Sequence, residues 1–193
     1  MTPPATGFKE WEIVCDALAS GQQSILLRKG GIAEGREGFQ FKHPDFFLFP
    51  TLFHEQADRI RPDFLGDWQA PAQGADKQRE SITIELFAHI DFHMIITDWS
   101  QLVRIEPFHI WTEDELRARY TWSKDPEDAP GISLACIRVY RLAEPWTFPN
   151  DRRFGGCRSW IDLPDTPSPA SDRQPVLDED AFSALKNDLR AAL

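Results

Sequence analysis

Apolar and polar residues alternate most regularly between residues 82 and 97. The even positions from Ile82 to Ile96 are all apolar, whereas the odd positions are mainly threonine, glutamate, histidine and aspartate. A period of two predicts a β-strand with one buried face. Sixteen residues at about 3.3 Å each would extend roughly 50 Å, so we expect a bend, bulge or break within this strand.

Other apolar runs predict further strands. Residues 132–142 are apolar at both even and odd positions, which is typical of a central strand buried on both faces. Shorter strands are predicted at 24–28, 46–49, 103–111 and 157–163.

Residues 8–19 fit two patterns. A strand would alternate through Trp11, Ile13, Cys15 and Ala17. A helix would carry a stripe formed by Phe8, Trp11, Cys15 and Leu18, and Gly21 would end it. We favour a strand that forms a hairpin with residues 24–28, because Ser20-Gly21 between two apolar runs is a turn signal.

Capping signals predict the helices. Thr51 would cap a helix at about 52–60, which Pro62 ends. Capping-box spacing predicts a short helical turn at 98–101 and a helix from 112 to about 120. Asp178 would cap a C-terminal amphipathic helix whose apolar stripe contains Phe182, Leu185 and Leu189.

Helices inserted between strands, without regular βα alternation, predict an α+β fold with a mixed, mostly antiparallel sheet. Residues 1–162 would form one globular domain. Residues 163–177 contain several prolines and would be a linker, and residues 178–193 would be the C-terminal helix.

The net charge of −10 is unevenly distributed. Residues 1–61 carry 7 basic and 8 acidic side chains, whereas residues 62–193 carry 14 and 23. An acidic surface repels phosphate backbones, so we expect no non-specific binding of nucleic acid. The near-neutral first third could still contain a local site for an anion.

Cysteine usage and hydropathy predict a cytoplasmic protein. The three cysteines, Cys15, Cys136 and Cys157, are far apart and form no CxxC pair, which favours reduced thiols. No apolar run reaches the 18 to 20 residues of a membrane helix, and the first residues lack the order of a secretory signal. We therefore expect no membrane association.

Several blocks together resemble an uncharacterised family, domain-of-unknown-function family 1802. The blocks span most of residues 8–162 and include residues 8–11, 26–32, 46–51, 108–111 and 156–160. The more specific ones are Arg28-Lys29-Gly30-Gly31-Ile32 and Leu48-Phe49-Pro50-Thr51. The resemblance implies a shared core and no particular chemistry.

A weaker likeness is to the Nudix hydrolases, in which an apolar hairpin ending in arginine precedes a glycine-rich loop, a strand ending in proline and a helix. The Nudix helix carries a run of glutamates that holds magnesium. The helix predicted here offers only Glu55 and Asp58, so this likeness implies a scaffold without that activity.

The first candidate site is an anion site at Arg28, Lys29, Gly30 and Gly31. Glycine lets backbone N–H groups approach an anion, and arginine provides a two-pronged donor. The alternative is a purely structural role, in which these residues form a strand end with solvated charges and a glycine turn.

Histidines and carboxylates supply two further candidates. His43 and His54 flank a short strand, and with Glu34 and Glu55 they could serve in acid/base catalysis or hold a divalent metal. On a strand, His89, Asp91 and His93 would share one face that could bind a metal such as zinc. Solvated or hydrogen-bonded side chains are the alternative in both cases.

The leading functional hypothesis is therefore a binding or regulatory domain for an anionic small molecule or nucleotide, held by Arg28 and Lys29. A metal-assisted hydrolase is the first alternative. A protein–protein adaptor that docks through the C-terminal helix is the second.

Overall fold

Two long antiparallel strands organise the computed structural model. It describes residues 5–29, 39–52, 57–66, 68, 72, 74–122, 129–164 and 172–193. In chain order, the strands and α-helices are β1 (Thr6–Trp11), α1 (Glu12–Ala19), β2 (Ile25–Arg28), β3 (Asp45–Thr51), α2 (Ala75–Gln78), β4 (Ser81–Ile96), α3 (Trp99–Arg104), α4 (Glu113–Thr121), β5 (Ile132–Pro149), β6 (Trp160–Asp162), β7 (Arg173–Pro175) and α5 (Glu179–Ala192).

Within the described residues these strands form a seven-stranded sheet in the order β2-β5-β4-β3-β1-β6, and β7 pairs with β5. The β1–β3 pair is parallel, and the other pairs are antiparallel. The predicted α+β class with a mixed, mostly antiparallel sheet and a C-terminal helix is confirmed.

The predicted irregularity of the long strand is confirmed as well. β4 pairs with β5 along almost its whole length, but the register shifts between Ile84 and Leu86 and again between Ile90 and Phe92. Such bulges bend a strand and increase its twist. The even-numbered side chains Ile82, Ile84 and Ile96 are buried, but in different parts of the core. Ile82 and Ile84 pack in one apolar cluster and Ile96 in another, so β4 buries apolar side chains on both of its faces, on either side of the register shift after Ile84.

The hairpin predicted for residues 8–28 is wrong. Residues 6–11 form β1, and the chain then enters helix α1 directly. β1 lies between β3 and β6, so both of its edges are occupied and β2 pairs with β5 instead. Gly21 adopts a positive φ of 77° just after α1, which is the helix-ending role of the rejected alternative.

The strand predicted at 103–111 is also wrong. Asp98 caps the start of α3 by accepting a hydrogen bond from the Ser100 amide at 2.8 Å. The helix then extends to Arg104, into the segment predicted as a strand. A 3₁₀ turn with Pro107 follows at Glu106–Phe108. Trp111 alone forms a bridge, with Ile60. The prediction failed because the helical turns of α3 and of residues 106–108 occupy half of this apolar run.

The helix predicted at 52–60 falls partly on residues 53–56, which lie outside the described residues. Residues 57–59 form a 3₁₀ turn, and a second one begins at Pro62. Thr51 is the last residue of β3, and its hydroxyl donates to the Glu10 carbonyl at 2.9 Å.

The C-terminal segment is attached to the sheet. β7 lies within the predicted linker and pairs with Tyr140 to Leu142 of β5. α5 then buries Phe182 and Leu189 in the core. Lys186 of α5 forms an ion pair with Asp91 of β4 at 3.0 Å.

Apolar side chains form two clusters, one on each face of the sheet. The larger contains Phe8, Leu26, Leu48 and Cys136 and is covered by α1 and α5. The smaller contains Phe49, Ile82, Trp146 and Phe154. No helix among the described residues is long and apolar enough to cross a membrane.

The sheet curves so that strands far apart in its order come into contact. β2 is the first strand in the order and β1 the fifth. Nevertheless the Arg28 guanidinium donates to the Lys9 carbonyl, and its Cζ lies 4.6 Å from the centre of the Phe8 ring. The end of β2 is thus brought beside β1.

Replacing Asp178 with alanine is expected to lower the free energy of unfolding by about 1 kcal/mol, because its carboxylate accepts from the Ala181 amide and caps α5. The matched control is Asp188→Ala, an exposed aspartate in the last turns of the same helix, which should change stability by less than about 0.5 kcal/mol. Urea denaturation measures both. Equal losses would contradict the assigned cap.

Candidate functional site

A cluster of charged side chains lies where the ends of β1 and β2 meet helix α4. Its members are Glu10, Arg28, Lys29, Arg59, Glu115 and Arg119. Glu10, Glu115 and Arg119 are buried, with 1%, 7% and 5% of their surface exposed. Charged residues are rarely buried to this extent unless they are paired, so these positions require an explanation.

Helix α4 contributes the central ion pair. Thr112 caps the helix by accepting a hydrogen bond from the Glu115 amide at 3.3 Å, as the capping box predicted. Glu115 and Arg119 are four residues apart and therefore lie on the same side of the helix. Arg119 Nε donates to Glu115 Oε1 at 2.7 Å, and Arg59 donates to the other carboxylate oxygen at 2.7 Å.

Arg119 also connects α4 to the sheet, because its Nη1 donates to the Leu27 carbonyl at 2.9 Å. Arg28, the next residue on β2, lies 3.3 Å from the Glu10 carboxylate. Glu10 accepts a second hydrogen bond from the Trp11 amide at 2.8 Å. Two carboxylates thus hold three arginines in one buried network.

Three tryptophans border the network. The Arg119 guanidinium lies 3.8 Å from the centre of the Trp111 ring and 5.2 Å from that of Trp11. The two rings contact each other edge to face, 4.9 Å apart. The Lys29 ammonium lies 5.4 Å from the centre of the Trp122 ring. Cation–π contact stabilises positive charge beside each of these rings.

The charges shift the acidity of their neighbours. Burial opposes ionisation of Glu115, but the adjacent Arg119 and Arg59 outweigh it and lower the pKa of this carboxyl. Desolvation lowers the pKa of the exposed Lys29, and the positive charge of Arg119 lowers it further. Arg119 therefore acts on both groups, which places Lys29 in the same electrostatic environment as the buried pair.

His109 lies close to this network and is uncharged. Burial, with the positive charges of Arg61 and Arg119, lowers the pKa of His109 to about 3. Its Nδ1 accepts from the Trp111 amide at 3.2 Å, so the ring proton is on Nε2. With a pKa of about 3 and 1% of its surface exposed, this imidazole stays neutral near neutral pH and does not change its charge there.

The predicted site residues are only partly brought together. Arg28 and Lys29 lie at the network, whereas Gly30, Gly31, Glu34, His54 and Glu55 are outside the described residues. His43 is exposed and contacts Trp160, which contacts Phe8, which in turn lies under Arg28. Two aromatic rings therefore separate His43 from Arg28.

The three residues predicted to share a metal-binding face are directed to different partners. His89 is hydrogen bonded to Asp45 at 3.0 Å, and Asp91 is paired with Lys186. His93 lies beside the Phe41 ring. Within the described residues no three His, Cys, Asp or Glu side chains are grouped so that they could hold a metal ion.

Glu10, Arg59, Glu115 and Arg119 were not among the predicted site residues. The spacing of Glu115 and Arg119 in a well-capped helix was a usable signal for an ion pair. Their burial was not visible, because α4 is polar on most of its surface. Glu10 could have been noticed as a charged residue on the same strand face as Phe8.

Replacing Glu115 with alanine is expected to lower the free energy of unfolding by about 3 kcal/mol or more, because it leaves Arg119 buried and unpaired. The control is Glu113→Ala on the same helix, which breaks an exposed pair with Arg117 of the same spacing. That change should cost less than about 0.5 kcal/mol. Urea denaturation distinguishes the two, and similar losses would refute the importance of burial.

The same pair predicts an acid-dependent stability. Because the pKa of Glu115 is lowered in the folded protein, its contribution is present at neutral pH and is lost as pH falls through the folded-state value. The difference in unfolding free energy between the wild type and Glu115→Gln should therefore shrink below about pH 4. Denaturation curves from pH 7 downward measure it, and a constant difference would contradict the prediction.

Comparisons with known proteins identify the family. The crystal structure of ASCH from Zymomonas mobilis shares 11% sequence identity, with a TM-score of 0.45 over 83% of this chain and 88% of that chain. Two mutants of the same protein give the same TM-score, with 10% and 13% identity over 83% of this chain and 89% and 91% of theirs.

No match was found among curated proteins. The Nudix likeness finds no support in these comparisons. The family model for the domain of unknown function DUF1802 matches residues 7–188, and the chain therefore belongs to this family.

Proposed function

We propose that this domain binds an anionic small molecule at the charged network formed by β1, β2 and α4, and that the favoured class of ligand is a nucleotide. The observation that carries the proposal is the excess of positive charge there. Among the residues that the structure describes, Arg28, Arg59 and Arg119 pair with the two carboxylates Glu10 and Glu115, and Lys29 adds a fourth positive charge. A net positive site in a chain of net charge −10 attracts anions to one place.

The distribution of partners indicates which cation is available. Glu115 is shared by Arg59 and Arg119, and Glu10 is engaged by Arg28. Lys29 forms no ion pair with the described residues and lies against an aromatic ring. Its lowered pKa reflects first the desolvation of the ammonium group, and then the cost of holding a further positive charge beside Arg119. An anion bound there would relieve that cost.

Tryptophan rings beside the cations favour a nucleotide among the possible anions. Trp11 and Trp122 are only partly buried. An aromatic face can stack on a nucleobase while neighbouring cations bind the phosphate. Arginine and lysine supply several charge-assisted donors for phosphate oxygens.

The test is isothermal titration of the wild type and Lys29→Gln with nucleoside mono-, di- and triphosphates, ribose 5-phosphate and inorganic phosphate. Loss of one charge-assisted contact should weaken binding about tenfold. The control is Lys186→Gln on α5, which removes the same charge from the ion pair with Asp91 of β4. This variant should bind with unchanged affinity. Absence of binding across the panel, or equal affinity of both variants, would refute the proposal.

A further inference from the structure

A cavity lies on the face of the β1–β3 pair opposite to the charged network. Its volume is about 480 Å³, which is within the range of small-molecule sites. Lys9 lines it, whereas the next residue, Glu10, belongs to the charged network described above. Successive side chains of a strand point to opposite faces, so the sheet separates the two sites.

The floor of the cavity is apolar. Phe49, Ile82 and Phe154 line it and belong to the smaller core cluster, each with less than 4% of its surface exposed. The rings of Phe49 and Phe154 are 5.5 Å apart. The two ring planes are inclined by 50°, and together with Ile82 they form the apolar base of an open cavity.

The rim is positively charged. Lys9, Arg79 and Arg152 line the cavity, and Asp151 is the one carboxylate that lines it among the described residues. Lys9 Nζ donates to the carbonyls of Phe154 and Gly156, both at 2.8 Å, and so holds the wall of the cavity in place.

The two arginines of the rim differ in their engagement. Arg79 lies 3.3 Å from the Glu12 carboxylate, so part of its charge is compensated. Arg152 is exposed and forms no ion pair within the described part of the chain. Asp151 is occupied in capping the turn, since its carboxylate accepts from the Arg153 amide at 2.8 Å. Arg152 is therefore the cation available to a ligand.

We infer that this cavity binds a small organic anion with an apolar body. The anionic group would pair with Arg152 and Arg79 at the rim, and the apolar body would lie on Phe49, Ile82 and Phe154. Arginine provides a two-pronged donor for a carboxylate, sulfonate or phosphate, and burying apolar surface favours a ring or alkyl group over a hydrated ion. This site is independent of the proposed nucleotide site.

The probe is 8-anilinonaphthalene-1-sulfonate, an apolar sulfonate whose fluorescence rises in apolar surroundings. We expect saturable binding at one site, weakened about tenfold or more by Arg152→Glu. The matched control is Arg153→Glu, which makes the same charge change at the next exposed residue, outside the cavity. It should stay within about twofold of the wild type. Lys29→Gln should also bind normally, because Lys29 lies at the other site.

Three results would overturn the inference. Absence of saturable binding would show that the cavity does not accept this class of ligand. Equal weakening by Arg152→Glu and Arg153→Glu would show a general surface charge effect. Weakening by Lys29→Gln alone would place the probe at the charged network instead. A urea denaturation curve for each variant confirms that the fluorescence does not come from unfolded protein.

Discussion

The bending of the long β4–β5 ladder determines how the rest of the molecule is arranged. A straight pair of 16- and 18-residue strands would leave a wide sheet with distant edges. Instead, two register shifts interrupt the ladder and increase its twist. The sheet curves, and the end of β2 reaches β1. The larger core then fills the concave face around Phe8, and charged residues collect at the rim where β1 and β2 meet.

At that rim, oppositely charged side chains are buried as ion pairs, and the group as a whole keeps a net positive charge. Glu115 is buried between two arginines, and Arg119 is buried between two tryptophans and a backbone carbonyl. Burial of each charged group is tolerated only because its neighbours supply an opposite charge or hydrogen bonds. Among the described residues both carboxylates are paired with arginines, and Lys29 beside them is the cation assigned to the proposed anion. The stability requirement and the proposed anion site thus involve the same network.

The parallel β1–β3 pair has a different chemistry on each face. One face carries Phe8 and Glu10 towards the larger core and the charged network. The other carries Lys9 and Phe49 towards the cavity lined by Arg152 and towards the smaller core. Alternation along two adjacent strands is enough to produce this separation. As a result, a substitution at Lys29 and one at Arg152 can be tested as independent events on one small domain.

The sequence by itself determined the elements whose signals are local. Period two predicted β4, its length predicted an irregularity within it, and capping residues predicted the starts of α3, α4 and α5. It also indicated Arg28 and Lys29 as candidate cations. Tertiary structure decided the rest. β1 became a central strand because β3 and β6 occupy its edges, and Glu10, Arg59, Glu115 and Arg119 met only through the curvature of the sheet. Pairing partners and burial depend on contacts distant in sequence, which local patterns of polarity do not contain.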